Sequence, residues 1–250
     1  MNRQLRIICK AVLAAAALTA GPGAPIGTAN TALAATIPLE ASTMIIEYNS
    51  SAEDIGIQFF LDSDGWREVE IFDPKGVEIF SAETSGRLTR QGGGTELFLE
   101  SVEPTIDELP FDQFFRRFPK GTYRFRAHDN AGNLLLGSAR FTHNIPAGPE
   151  LITPVGVNGA ECATNVPLPA LIAWEPVMTS NFGLPLEIVG YEVIVEGGDV
   201  NFDVKFPADI QELTVPDGLL EPATDYVFEV LAVAKGGNQT ITEGCFRTAL

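Results

Sequence analysis

The residues of this chain best equipped for chemistry are few. His128 and His143 have no cysteine or second histidine at metal-ligand spacing, so neither reads as a zinc ligand or as the base of a nucleophilic pair. Each falls on or at the end of a strand-like run, where an ordinary surface role accounts for it. No Gly-x-Ser-x-Gly elbow, His-Glu-x-x-His helix or Gly-x-x-x-x-Gly-Lys loop occurs. The triple glycine Gly92-Gly93-Gly94 has no lysine-bearing helix behind it and reads as a flexible loop. The 33 Asp and Glu residues guarantee chance carboxylate pairs of the kind a glycosidase uses, with nothing to single out one pair. Asp62 and Asp64, joined by Asp54 or Asp73, are the best oxygen set for a hard cation such as calcium. Asp62-Ser-Asp-Gly65 lacks the further acidic positions of a calcium-binding helix–loop–helix, however, and a hairpin turn accounts for it. Trp66 offers an aromatic ring to a sugar, with core packing as the alternative. The expectation is therefore no catalytic residue, no cofactor site and no metal site.

The elements that position these residues begin after the amino terminus. Arg3, Arg6 and Lys10 precede the apolar run Ala11–Leu18, and a looser stretch leads to Ala32-Leu-Ala34. This charged, apolar, small-x-small order predicts a signal peptide over residues 1–34, cleaved after Ala34. The apolar run falls short of the roughly 20 residues that span a bilayer, and Cys9 lacks the surroundings of a lipoprotein cleavage site. Cleavage would remove 3 of 16 basic residues and no acidic one, leaving 13 Lys and Arg against 33 Asp and Glu, a formal charge of −20. That surface repels nucleic acid and anionic lipid. Cys162 and Cys245 then remain as an even pair in an exported chain, which predicts a disulfide; the alternative is two free thiols.

Along the first half, Thr43–Asn49, Ile57–Leu61, Trp66–Phe72, Val77–Phe80 and Thr95–Glu100 read as strands, with turns at Asp62–Gly65 and Asp73–Gly76. Residues 57–80 thus form an expected three-strand meander. Ile106–Phe118 breaks the period: Leu109, Phe111, Phe114, Phe115 and Phe118 fall near helical spacing, with acids early and Arg116-Arg117 late. A short helix between two sheets is expected there, its phenylalanines packed inward or offered as a docking surface. Lys120–Arg126 and Asn133–His143 return to strand. The Gly-x-Tyr start at Gly121 and the Asp129-x-x-Gly132 turn weakly resemble a bacterial immunoglobulin-like sandwich over residues 40–147. Asn144–Pro154, with three Pro and one Gly, is a stiff linker, placing a domain boundary near 149.

The second half carries a sharper set. Ala170-Leu-Ile-Ala-Trp174-Glu-Pro176 ends as a fibronectin type III second strand does, Gly190–Val195 with Tyr191 looks like the third strand, and Leu220-Glu-Pro222-Ala-Thr-Asp-Tyr226 is similar to that family's tyrosine corner. Val227–Ala234 would be the sixth strand and Cys245–Thr248 the end of the last. Residues 150–250 therefore resemble a fibronectin type III domain. The resemblance implies a seven-strand sandwich in which the Tyr226 hydroxyl pins backbone a few residues upstream, Trp174 and Tyr191 fill the core, and first and last strands lie close enough for Cys162 and Cys245 to pair.

The expected architecture is all-β: two tandem β-sandwiches, immunoglobulin-like over 40–147 and fibronectin type III-like over 150–250, with a short helix in the first. Such a fold implies no chemistry. The expected function is a non-catalytic exported binding module, in the periplasm, at the cell surface or in the extracellular space. Its partner would be another extracytoplasmic protein or a surface polysaccharide, with no nucleic acid and no membrane span. The alternatives are a carbohydrate-binding accessory protein of a secreted hydrolase system and a passive spacer or assembly subunit.

Overall fold

The strand pattern of the sequence is written into two facing sheets in each half of the chain. The computed structural model describes residues 34–156 and 161–250; the expected signal peptide therefore lies outside the described residues except for Ala34. In the first half, β1 (Thr36–Pro38), β8 (Leu134–Phe141), β7 (Gly121–His128), β4 (Glu68–Phe72) and β5 (Glu78–Glu83) form one sheet in that order. β7 shows why it forms: its period-two alternation buries Tyr123, Phe125 and Ala127 and turns Thr122, Arg124 and Arg126 to solvent. Opposite lie β2 (Ala41–Asn49), β3 (Asp54–Trp66) and β6 (Gly94–Glu100). Their inward residues, including Ile46, Ile55, Phe59 and Leu61, complete one core with Val69, Ile71 and Phe141.

In the second half, the three-stranded sheet β14 (Glu212–Thr214), β11 (Leu171–Trp174), β9 (Leu151–Thr153) faces β13 (Val200–Pro207), β12 (Ile188–Gly197), β15 (Asp225–Ala234) and β16 (Gln239–Thr248). These seven strands enclose a second core around Trp174, Tyr191, Tyr226 and Phe228. Together with the placement of the corner residues below, they make this half a fibronectin type III-like sandwich. A further short strand, β10 (Ala163–Val166), runs parallel beside β16.

Three local features differ from the sequence expectation. Asp62–Gly65 is not a hairpin turn. β3 continues through it because Asp62 pairs with Ala41 on one side and Glu96 on the other. The register shifts between Asp62 and Trp66, and the Gly65 N–H donates to Ser63 Oγ at 3.3 Å. The chain then changes sheets, so β3 and β4 lie in different layers rather than in one meander. Second, the helix α2 covers only Phe111–Arg117. Residues before it form a separate turn in which Thr105 N–H donates to Glu108 Oε2 (3.1 Å) and Glu108 N–H to Thr105 Oγ1 (3.3 Å), and Pro110, which disfavours helix at the residue before it, starts the helix afresh. Third, a short helix α1 (Gly86–Gln91) precedes the glycine-rich loop, ending at Gly92 with φ 130°, a backbone that favours glycine.

The larger sheet does not stop at residue 149. β16 pairs in parallel with β2, Gln239 opposite Glu47 and Ile241 opposite Asn49, so strands of both halves form one continuous sheet in the order β13-β12-β15-β16-β2-β3-β6. The proline-rich segment is bound into this junction. Pro146 is buried and its carbonyl accepts from Thr240 Oγ1 at 2.7 Å. At Gly148 a Cβ would come within 2.8 Å of Ser50 Cβ and 2.9 Å of Thr242 Oγ1, so any larger residue would displace these side chains.

Candidate functional site

The structural residues of the second half lie where packing requires them. Trp174 on β11 is buried with its ring 5.3 Å from that of Tyr191 on β12. The Tyr191 hydroxyl accepts from the Val177 N–H at 2.7 Å, and burial pushes its pKa up. Tyr226 at the start of β15 accepts from the Glu221 N–H at 2.9 Å, pinning the corner that contains buried Leu220 and exposed Pro222. Cys162, just before β10, is disulfide-bonded to Cys245 on β16 with Cα atoms 4.7 Å apart.

The acidic candidates separate. Asp73 is spent on its own turn, Oδ1 accepting from the Lys75 and Val77 N–H groups, each at 2.8 Å. Asp62 and Asp64 instead meet Glu40, whose carboxyl is held above the usual range by repulsion from Asp64 first, then by burial and by Asp62. Asp64 and Glu40 line a cleft of about 320 Å³ with Ser63 and Asp129; Asp54 and Asp73 are not part of it. A second group was invisible in the sequence. Glu47, Glu100 and Glu103 bring carboxylate oxygens within 4.8 Å of one another, because β6 lies beside β3, which lies beside β2. Buried Glu47 is held there by Gln239 Nε2. Three carboxylates supply about half of the 6–8 oxygens calcium takes, and no residue pattern along the chain signals the set.

The aromatic candidates are largely committed to packing. Trp66 is 6% exposed, and a Cβ on Gly94 would meet its ring at 2.7 Å. The ring lies under that backbone and presents no face to a sugar. On α2, Phe114 is buried, while Phe111 and Phe115 are half-buried and meet Phe182, from the β11–β12 connection, at 5.2 and 5.9 Å. Phe182 is 47% exposed, and Met178 and Leu184 of the same connection are more exposed still; the sequence reading missed these residues because the loop has no periodicity.

The two histidines differ. His128 pairs through Nδ1 with Glu68 at 2.9 Å. His143 is half-buried, stacked on Phe115 at 4.0 Å with Nε2–H donating to the Phe118 carbonyl at 2.8 Å. Burial lowers its pKa below the ordinary 6.5 by more than the Phe118 hydrogen bond raises it, with Lys120 adding to the lowering. The fold therefore holds neutral imidazole, and the unfolded chain takes up a proton more readily. The stability contributed is present above about pH 6.5 and lost as the pH falls through the depressed value. Melting temperatures measured between about pH 7 and pH 5 should fall more steeply for the wild type than for His143→Asn; parallel profiles would contradict this.

No protein-family profile matches the chain. No curated protein matches it in sequence. Among solved structures, the FN1–FN3 domains of chicken CNTN1 are similar over 87% of this chain, with 11% identity and a TM-score of 0.34. A two-domain fibronectin type III segment of chicken tenascin is similar over 84% of this chain and 96% of its own length, with 12% identity and a TM-score of 0.28. The chain spans 66% of the CNTN1 structure, just under two thirds.

Proposed function

We propose that the chain is an exported, non-catalytic interaction module acting outside the cytoplasm. The observation that carries the reading is the Cys162–Cys245 disulfide, because disulfides form and persist in oxidising compartments. The order of charge, apolar run and small residues over 1–34 supports the same address. In this reading the chain comprises two domains, 40–147 and 150–250, each with its own core, and the β2–β16 pairing holds them as one body. Surfaces on both halves would then meet a protein or a polysaccharide in fixed geometry. The formal charge of −20 after cleavage disfavours nucleic acid as that partner. Among the described residues no helix is long and apolar enough to cross a membrane.

Intact-mass analysis of protein recovered without reductant from outside the cytoplasm tests the reading. The expected species begins at Ala35 or within a few residues of it and contains no titratable thiol. The new amino group would sit where the Ala35 nitrogen now donates to Asn133 Oδ1 at 2.9 Å. An intact Met1 on cytoplasmic protein would overturn the address. Turnover on ester, peptide, phosphate or glycoside substrates, abolished by a single Asp or Glu substitution, would overturn the non-catalytic part.

A further inference from the structure

The sheet that joins the two halves ends on β13, and the outer edge of that strand is open. β13 pairs with β12 over its eight residues, from Val200 opposite Gly197 to Pro207 opposite Gly190, with no register shift. Among the described residues its only other backbone bond is within the turn that follows, where the Pro207 carbonyl accepts from the Ile210 N–H. Alternate backbone groups therefore point away from the sheet with no strand to receive them. Natural edges are blunted by bulges, by proline or by charges that repel a newcomer. β13 has no bulge, its one proline is terminal, and its charges, Asp203 and Lys205, are opposite in sign. Its alternation turns Phe202, Val204 and Phe206 toward the second core and leaves Asn201, Asp203 and Lys205 exposed. About Val204 this order is self-complementary. When two such strands run antiparallel across a two-fold axis at Val204, Asp203 of each copy stands opposite Lys205 of the other, and Phe202 opposite Phe206. Within one copy Lys205 reaches Glu192 at 3.3 Å, and Asn201 holds Glu196, the next acid on that face, at 2.8 Å. Burial first, then Asp203, push the Glu192 pKa up. Asp203 thus meets an acid in its own copy and a cation in the second. Asp199 and Asp209 lie in the turns at either end, beyond the ladder.

We propose that two copies of the chain pair through β13 in this register, carrying the junction sheet across both. The proposal goes beyond the interaction reading above and depends neither on its partner nor on export. Charge order carries it, because opposite charges facing each other stabilise a strand pair and like charges destabilise it. Side chains must also keep to their own face. Centring the pair on Asp203 instead would set that aspartate against its own copy. The other long edges have no cation to match: β5 and β6 carry glutamates and no lysine or arginine. β1 and β14 have three residues each. The formal −20 of the mature chain does not decide the matter, since charges farther than about 8 Å are screened at physiological salt. Eight residues a side fall short of the roughly 20–30 of a standard interface. The dimer is therefore weak, with a dissociation constant between about 1 μM and 1 mM. Pairing of this kind lets a repetitive partner hold both copies at once.

Sedimentation equilibrium of the purified, disulfide-bonded protein in about 0.15 M salt tests it. The wild type should show a reversible monomer–dimer equilibrium. Asp203→Lys sets lysine opposite lysine and Lys205→Glu sets acid opposite acid, so each alone should weaken the dimer by at least about tenfold. An equimolar mixture of the two variants should restore it, because each strand then supplies the charges the other lacks. That rescue separates lost pairing from lost folding. As a second readout, Val204→Cys should cross-link two copies under mild oxidation, its Cα atoms about 4.5–5.5 Å apart in the pair and within disulfide reach. Asn201→Cys, which lies opposite Pro207, should not. A wild type that stays monomeric up to about 1 mM, a dimer indifferent to the single substitutions, or equal cross-linking at the two cysteines would overturn the proposal. So would a mixture that stays monomeric together with no cross-link at Val204→Cys.

Discussion

Reduction of the Cys162–Cys245 bond is expected to lower the melting temperature by roughly 8–20 °C. The two cysteines are 83 residues apart, and closing a loop of that length removes about 4–5 kcal/mol of unfolded-chain entropy in the usual estimate. For a chain of 150–250 residues each kcal/mol moves the midpoint by about 2–4 °C. The position of the bond adds a structural consequence. Cys245 lies on β16, which pairs with β15 along its length, with β10 beside Cys162, and with β2 of the other half. The bond ties the start of the second half to the strand that bridges the halves. Calorimetry with and without reductant, checked against Cys162→Ala/Cys245→Ala, measures the effect. A shift of only a degree or two would mean that strain in the folded state cancels the entropic gain.

The parts of this fold that were legible in the sequence are those where one residue type has one physical use. The tyrosine corner is local: Leu220, Pro222 and Tyr226 lie within seven positions, and the hydroxyl reaches a backbone N–H five residues upstream. The alternation of β7 and the cysteine pair are equally direct. What was misread depended on partners distant in the chain. Asp62-Ser-Asp-Gly65 has turn composition, yet Ala41 and Glu96 hold Asp62 in a ladder; local propensity yields to pairing on both sides. Trp66 has the chemistry of a sugar platform, but Gly94, 28 positions later, closes over its ring. Glu47, Glu100 and Glu103 become neighbours only through a sheet order that no single segment encodes.

Asn238→Ala is expected to be among the most damaging polar substitutions, at about 2–4 kcal/mol, and to uncouple the two halves. In the sequence Asn238 is an ordinary polar residue after Gly236-Gly237, but the side chain is 1% exposed at the centre of the junction. Its Oδ1 accepts the Ile46 N–H at 2.9 Å, and its Nδ2 donates to the carbonyls of Thr142 (3.0 Å) and Asn144 (3.1 Å). One amide thus joins β2, the end of the first half and the start of β16. Truncation leaves the buried Ile46 N–H without its acceptor, at about 1–3 kcal/mol, while the carbonyls of half-buried Thr142 and exposed Asn144 lose a donor that water partly replaces. Asn238→Asp separates the two roles. The carboxylate still accepts from Ile46, but it places an oxygen against both carbonyls and buries a charge, so it should do at least as much harm as alanine. Amide exchange at Ile46 should accelerate in both variants. If the halves have separate cores coupled through this junction, the single melting transition of the wild type should split into two. A stability within about 1 kcal/mol of wild type, with slow exchange at Ile46, would show that the β2–β16 ladder holds the junction without Asn238.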